Sequence, residues 1–468
     1  MAFTSLVFIG FLALVLLVYW SLPSRRAQNG FLLAASLFFY AYGEPRFVLL
    51  ILLCAGTGYA CAIAMERRRD RARPILALGA GIALGILFTF KYFDFFVGAI
   101  ASLCDGIGLS FHPATLGLLL PIGISFFTFQ TVGYLVDVYR GDCRAERSPL
   151  DFFLFVTFFP QLVAGPIERA THLLAQIKRE RRPSGEDFTW GSYTALQGFV
   201  KKMVVADNIA PVVDRLFEQE SLSGPLVAVA LVGFAFQIYC DFSGYTDIAR
   251  GVARCMGFRI LINFDRPYLA RSPSEFWRRW HITLSTWFRD YVYIPLGGSR
   301  QGAGRQRLNL LATLVLSGLW HGASLNFLLW GAFHGGLLVL HKAWASSPLL
   351  AGLRSERLYP ALARIATFAL VVYGWLFFRV EEVGMIASYS RALLLDPSHA
   401  DLALLAALRI APYVAIACAL DWLERTLTDF PNAELRWSWV TQPALGGMLV
   451  ALLVLAVEGG GDFIYFKF

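Results

Sequence analysis

Long apolar runs separated by short polar or basic loops are the main pattern in this sequence. Several runs are shorter than the ~20 residues that a helix perpendicular to the bilayer needs. Short spans are tolerated only where protein, rather than lipid, surrounds a broken backbone. The pattern therefore predicts an all-α, polytopic membrane protein with about ten to twelve membrane helices, some of them tilted or re-entrant. The candidate spans are Phe3 to Leu22, Phe31 to Tyr42, Phe47 to Ala64, Pro74 to Tyr92, Leu116 to Val138, Tyr193 to Val213, Leu226 to Cys240, Leu308 to Trp320, Leu325 to Leu340, Ala361 to Phe378, Leu402 to Leu420 and Leu445 to Val457.

Basic loops predict the orientation of these spans. The charge run at positions 66–73 is the strongest cytoplasmic marker, because loops rich in Lys and Arg stay on the cytoplasmic side. Three spans precede it, which places the N-terminus outside and Arg25 and Arg26 inside. The apolar stretch Pro149 to Ile167 lies between two basic stretches, so both of its ends face the cytoplasm. We expect a re-entrant hairpin there, broken by Pro160 and the Gly165-Pro166 pair.

Composition excludes a single water-soluble globule. Hydrophobic residues make up 57% of the chain and charged residues 16%, against roughly 25% charged residues in soluble domains. The net charge of +8 comes from basic residues in short loops, so it indicates membrane topology rather than nucleic-acid binding. Eleven arginines against five acids between positions 241 and 307 mark a cytoplasmic working face. We find no internal repeat, which argues against a secondary transporter.

A capping box with a proline at the first helical position occurs at 272–275. It predicts a helix that begins there and runs through Phe288. On one face of that helix His281 points into apolar surroundings, and on another face Arg278 and Arg289 are exposed. A basic face of this kind suits a helix lying at the interface, toward anionic headgroups or an anionic donor. The alternative is a purely structural interfacial helix.

A second candidate region is the glycine-punctuated apolar stretch at 317–335. An imidazole at membrane depth, here His321, is costly unless it is functional or well paired. Near pH 7 it can take a proton from a hydroxyl, as acyl transfer requires. Asn326 is close enough in sequence to orient the ring or polarise a carbonyl. The alternatives are a packing histidine and a metal ligand; the second is weak because His334 lies thirteen residues away with no accompanying acid.

Five motifs follow one another in order along the chain. They are Phe159 to Ile167, Tyr239 to Tyr245, Phe276 to His281, Tyr293 to Gly298 and Trp320 to Ala323. Together they resemble the membrane-bound O-acyltransferase family. Within it they are similar to the bacterial branch that acetylates alginate and other exopolysaccharides, with the lipoteichoic acid D-alanylation transferase as a cousin. The resemblance runs from about Phe31 to the C-terminus.

The resemblance implies a single polytopic acyltransferase domain over residues 1–468 in the cell inner membrane. Its essential histidine matches His321, and His281 is the second motif histidine. A funnel through a thin protein core would join a cytoplasmic acyl donor to an extracytoplasmic acceptor. We expect no metal and no tightly bound cofactor; the donor is acetyl-CoA or an acylated carrier protein, attracted by Arg278, Arg279 and Arg289.

The chain end at 461–468 is unusually aromatic. An interfacial aromatic anchor is the simpler interpretation. In the related D-alanylation system, however, a separate small membrane peptide ends in a similar tyrosine-containing motif. The resemblance therefore suggests that the motif is fused here, so that Tyr465 lies near His321 and accepts or relays the acyl group.

The partners expected from the resemblance are membrane lipids, the acyl donor and an extracytoplasmic acetyltransferase, with no nucleic acid. That acetyltransferase, rather than a sugar, is a possible direct acceptor, and polysaccharides other than alginate stay open. Two functions from other classes compete with acyl transfer: a polysaccharide exporter and a non-catalytic scaffold for the secreted acetylation machinery. An exporter needs a polar or aromatic lumen along several helices, whereas the intramembrane polar groups here cluster at His281, His321 and Asn326.

Overall fold

A computed structural model describes residues 1–111, 113–163, 165–347, 352, 357–428, 442–457 and 463–464, without the side chains of 425–428. Within these ranges the chain is helical and contains no strand, which confirms the predicted all-α class. The α-helices are α1 Leu6–Ser21, α2 Arg25–Ala41, α3 Phe47–Arg67, α4 Ala72–Leu87, α5 Phe93–Gly106, α6 Ile124–Arg140, α7 Pro149–Thr157, α8 Phe159–Leu162, α9 Ala175–Ile177, α10 Gly185–Phe199, α11 Asp207–Phe217, α12 Gly224–Cys255, α13 Pro273–Arg279, α14 Ile282–Phe288, α15 Gly302–His321, α16 Leu325–Ser346, α17 Tyr359–Arg379, α18 Val383–Leu395, α19 Ala400–Thr428 and α20 Gln442–Leu455.

Each predicted apolar span overlaps at least one of these helices. Among the described residues, five helical segments are long and apolar enough to cross a membrane, and they support a multi-pass membrane protein. These segments are Phe47–Arg67, Arg69–Gly106, Gly224–Cys255, Tyr359–Arg379 and Ala400–Glu424. The sequence pattern did not predict α5 or α18.

The chain folds as two compact units. The first comprises Met1–Ser192 and Ala249–Leu261, and the second comprises Tyr193–Ile248 and Ile262–Phe468. The long helix α12 contributes residues to both units. A single acyltransferase domain over residues 1–468 stays a prediction.

In the first unit, a buried polar cluster joins α2 to α7. Asp151 forms a salt bridge with Arg25 at 3.2 Å and accepts a hydrogen bond from Asn29 at 2.7 Å. Helix α7 ends at Thr157, and α8 begins again at Phe159. The break predicted in this stretch is therefore present, at Phe158, two residues ahead of Pro160. Re-entry from the cytoplasmic side stays a prediction.

In the second unit, α15 and α16 form a closely packed hairpin against which α17 lies. Glycines make this contact possible, because Gly318 meets the backbone of Phe327 and Gly331 meets the backbone of Leu314 with no room for a Cβ atom. The three-residue connection between the two helices places His321, the last residue of α15, at the closed end of the hairpin.

Candidate active site

His321 lies in a shell of aromatic rings. Its side chain is buried, with 3% of its surface exposed. The ring centroids of Trp320 and Trp330 lie 4.9 Å from that of His321, and Phe378 of α17 lies at 5.2 Å. The glycine after it, Gly322, packs directly on the ring of Phe327. The glycines flanking His321 therefore close the hairpin around the imidazole.

His281 lies at a helix break, so the predicted continuous helix from 272 to Phe288 is wrong. The helix does begin at the capping box, with the Ser272 hydroxyl accepting from the Glu275 N–H at 3.1 Å. It ends at Arg279, Trp280 is extended, and His281 adopts the left-handed region with φ 41° before α14 begins. The backbone carbonyl of Asn263 accepts the N–H of Ile282 at 2.9 Å and fixes the start of α14. The amphipathic pattern of the sequence fits one continuous helix, but this hydrogen bond to another segment favours two.

The surroundings of His281 are aromatic and buried. Its ring centroid is 4.7 Å from that of Phe242 and 5.8 Å from that of Trp320. Its side chain has 1% of its surface exposed. A neutral imidazole has one N–H to donate and one nitrogen to accept.

The fold brings His281 and His321 together through one shared neighbour. Trp320 contacts both His281 and His321, at 5.8 and 4.9 Å between ring centroids. The two motif histidines, forty positions apart in the sequence, thus belong to one buried cluster.

A third histidine of this cluster, His334, was considered at the sequence level only as a metal ligand. Its centroid lies 4.8 Å from that of Trp330 and 5.2 Å from that of Trp277, and its side chain is buried. Its Nε2 faces Gly374, where an added Cβ atom would approach to 2.7 Å. The sequence does hold a signal for His334: Asn326, Trp330 and His334 are spaced every four residues, and such residues share one face of a helix.

Asn326 has other partners than the imidazole of His321. Its amide nitrogen donates to the Phe377 carbonyl at 3.0 Å, and its amide oxygen accepts from the Ser324 hydroxyl. The side chain is fully buried. Asn326 therefore ties the start of α16 to the end of α17, an arrangement that positions the wall of the site.

A buried ionic network borders the cluster, and sequence reasoning missed it. Lys202 forms salt bridges with Asp207 at 2.8 Å and with Asp241 at 2.6 Å. Lys201 pairs with Asp247 at 2.8 Å. By sequence, the acids of α12 count among those of the cytoplasmic working face; in the structure they are buried and pair with these two lysines.

The chain end reaches this network. The N–H of Ile464 donates to Asp241 at 2.7 Å. The ring of Phe463 lies 4.4 Å from Tyr245 and 5.6 Å from Phe242, which in turn contacts His281. Residues 463–464 are therefore inserted beside the histidine cluster, whereas Tyr465 lies outside the described residues.

The three candidate donor-binding arginines differ in their environments. Arg279 pairs with Glu275 at 2.9 Å, and Arg289 pairs with Asp290 at 2.8 Å. Arg278 is exposed and forms no salt bridge with a described residue. Their roles stay predictions.

A cavity of about 220 Å³ is lined by one of these arginines, Arg289, together with Trp277 and Ser317. The three histidines do not line it, but two of its lining residues are their neighbours. Ser317 lies four residues before His321 on α15, and Trp277 contacts His334. No group of three metal-ligating side chains occurs in the described part of the chain.

Comparison with known proteins gives a family match over the region that holds these residues. Residues 144–379 match the family described as MBOAT, the membrane-bound O-acyltransferase family. The match includes the three clustered histidines and the lysines of the ionic network.

Similar curated proteins extend the match to the whole chain. The probable alginate O-acetylase AlgI of Pseudomonas putida is 36% identical over 498 aligned residues, covering 100% of both chains. The peptidoglycan O-acetyltransferase of Helicobacter pylori is 34% identical over 75% of this chain and 71% of its own. The teichoic acid D-alanyltransferase of Streptococcus thermophilus is 31% identical over 49% of this chain and 59% of its own.

Proposed function

Because the chain belongs to the membrane-bound O-acyltransferase family and is an O-acyltransferase, we propose that it moves an acetyl group from a cytoplasmic donor across the membrane. The transferred acetyl group is then used for the O-acetylation of an exopolysaccharide such as alginate. The observation that carries the proposal is the pair of buried histidines, His281 and His321, which both contact Trp320. The similarity to an alginate O-acetylase supports the class of polymer.

In the proposed reaction, His321 is the general base. It takes the proton of the acceptor hydroxyl while the oxygen attacks the thioester carbonyl, and it later gives the proton to the departing thiolate. A C–O bond forms as the C–S bond breaks, so the products are an ester and a thiol. His281, as a neutral imidazole, donates its N–H to the carbonyl oxygen as negative charge develops there. Asn326 positions the wall of the site.

The donor approaches from the cytoplasmic face. Acetyl-CoA carries phosphates and a carrier protein has an acidic surface, so either is attracted by Arg278, Arg279 and Arg289. The 220 Å³ cavity is smaller than most ligand pockets. It suits the thioester arm of a donor whose bulk stays outside.

The acceptor side involves the chain end. Tyr465 accepts the acetyl group on its phenol oxygen and passes it to an extracytoplasmic partner acetyltransferase, which modifies the polymer. The insertion of Phe463 and Ile464 beside the His281 pocket supports this route. Tyr465→Phe removes only the hydroxyl and keeps the aromatic ring. It therefore distinguishes a tyrosine that relays the acetyl group from one that only anchors the chain at the membrane interface.

We further propose that the protein resides in the cell inner membrane with its N-terminus outside.

The test is reconstitution of the purified protein in vesicles with radiolabelled acetyl-CoA, with and without a carrier protein. His321→Ala should abolish label transfer while leaving the protein folded, since the acceptor hydroxyl loses its general base. His399→Ala is the matched control, because His399 is an exposed histidine outside the site. Near-normal turnover of His321→Ala, or no transfer by the unmodified protein, would instead favour an exporter or a scaffold.

A further inference from the structure

A large apolar groove lies between α16 and α17, separate from the cavity beside the histidines. Its volume is about 1090 Å³, which is at the upper limit of pockets for drug-sized ligands. The walls are Leu337 and Leu340 of α16 and Leu362, Ala366 and Leu370 of α17. Several of these apolar side chains are exposed in the protein alone; Leu340 has 67% of its surface accessible and Leu362 has 61%.

One end of the groove is polar and cationic. Arg271 and Arg357 line it, together with His341, Trp344 and Tyr359. Both arginines are exposed, and neither forms a salt bridge with a described residue. The indole N–H of Trp344 donates to the Tyr359 hydroxyl at 3.3 Å. Tryptophan and tyrosine are the residues enriched where a membrane helix meets the headgroups.

The dimensions of the groove match one leaflet. Helix α17 is among the segments that can cross a membrane. From Tyr359 to Leu370 it rises about 17 Å, at ~1.5 Å per residue. Half of the ~30 Å hydrocarbon core is about 15 Å. The apolar wall therefore has the length of acyl chains in a single leaflet, and the arginines lie where the headgroup of such a lipid would be.

We infer that this groove binds an anionic glycerophospholipid, with its acyl chains along α16 and α17 and its phosphate between Arg271 and Arg357. Arg271 lies beside one acid, Glu275, whose carboxylate accepts the backbone N–H of Arg271 at 2.8 Å and also pairs with Arg279. Arg357 forms no salt bridge with a described residue, so these three arginines outnumber the acid and favour a net negative headgroup over a zwitterionic one. The site is distinct from the proposed acetyl-transfer site, and its occupancy is measurable without any assay of turnover.

The experiment is native mass spectrometry of the full chain released from nanodiscs that contain equal amounts of phosphatidylglycerol and phosphatidylcholine. We expect retained phosphatidylglycerol adducts in the unmodified protein. Replacing both arginines, Arg271→Gln with Arg357→Gln, should weaken retention roughly 30-fold, since each cation near a membrane surface contributes on the order of 1 kcal/mol. Arg364→Gln is the matched control, because Arg364 is exposed on the same helix but does not line the groove.

A second variant tests the apolar wall with the charges intact. Ala366→Trp fills the groove and should also displace the lipid. Adducts that survive Ala366→Trp, or equal retention of the two lipids by the unmodified protein, would overturn the inference. An equal loss of phosphatidylglycerol adducts from the Arg364→Gln control would also overturn the inference. Displacement by free inorganic phosphate alone would identify a phosphate site and reject the lipid.

Discussion

At the scale of single residues, the backbone of His281 is the most informative feature. A left-handed conformation costs a residue with a side chain roughly 1–2 kcal/mol, and His281 adopts it with φ 41°. Asn263 holds the turn, because its side-chain oxygen accepts from the Thr283 hydroxyl at 2.6 Å in addition to the backbone bond to Ile282. Strain that neighbouring groups maintain in this way is typical of functional sites.

This strain gives a prediction in which two variants are compared. His281→Ala keeps the strained backbone, whereas His281→Gly relaxes it, because glycine adopts positive φ without steric cost. Both variants lack the imidazole and should lose turnover by about 10² or more, the usual scale for a positioned acid-base or oxyanion group. The glycine variant should be the more stable of the two by about 1 kcal/mol. The measurements are acetyl transfer per folded molecule and thermal unfolding in detergent.

If His281→Gly recovered turnover that His281→Ala had lost, the backbone rather than the imidazole would be what the reaction needs. A loss of protein abundance with normal turnover per molecule would likewise make His281 structural.

Residue types indicated part of the site from the sequence. His321 and His281 could be found because an imidazole is conspicuous in an apolar stretch. His334 is equally buried, but its place depends on Trp277 from another helix, and no local pattern encodes that contact. Asn326 is a candidate in the sequence, but no local pattern indicates its partner, the distant Phe377 carbonyl.

At the scale of elements, charged residues misled the prediction of helix ends. The pattern ended one span at Tyr92 and another at Cys240, because Asp94 and Asp241 follow shortly after. In the structure the chain is helical beyond both residues. Asp94 accepts backbone N–H groups of Leu116 and Gly117 at 2.8 and 3.0 Å. Partners far along the chain satisfy these acids, so the helices tolerate them.

The contact between α12 and the chain end yields a prediction with a matched control. Asp241→Asn removes the charge that pairs with Lys202 and weakens the acceptor of the Ile464 N–H. Asp247→Asn, on the same helix as Asp241, removes the closer of the two acids that pair with Lys201. Each variant should lower stability by less than about 3 kcal/mol, the low end for leaving a buried charge unpaired, because Lys202 keeps Asp207 and Lys201 keeps Glu424. Only Asp241→Asn should also release the chain end, lower acetyl transfer and expose residues 463–464 to carboxypeptidase.

The readouts are the cleavage rate of the chain end and the rate of acetyl transfer per folded molecule. Equal effects of both variants on both readouts would show that the network stabilises the helices without positioning the chain end.

At the scale of the whole molecule, the sequence predicted the fold class well. Lipid offers no hydrogen-bond partners, so a chain that crosses it must satisfy its backbone N–H and C=O groups internally, and few folds can do so. An all-α, multi-pass protein follows from apolar runs such as Phe47 to Ala64 and Leu402 to Leu420. The division into two compact units does not follow from that pattern. It depends on pairings between distant segments, such as residues 249–261 with the first 192.

The positive charge of the molecule, +8 overall, leads to a prediction about the donor. Arg279 and Arg289 are partly neutralised by Glu275 and Asp290, so Arg278 should contribute most to donor capture. Its attraction falls as the Debye length shrinks from about 10 Å at 0.1 M salt to about 3 Å at 1 M. The KM for acetyl-CoA should therefore rise with salt, and Arg278→Gln should raise it at low salt and flatten the dependence, with kcat nearly unchanged.

The control for this prediction is Arg391→Gln, which removes an exposed arginine of α18 that lies outside the site. It lowers the net charge by the same amount as Arg278→Gln and should leave the salt dependence of KM as it is in the unmodified protein. A local capture site and a diffuse field of the whole molecule are thereby distinguished, because a diffuse field responds equally to either charge. Equal flattening by the two variants would assign the salt effect to net charge, and a KM independent of salt would remove Arg278 from donor binding altogether.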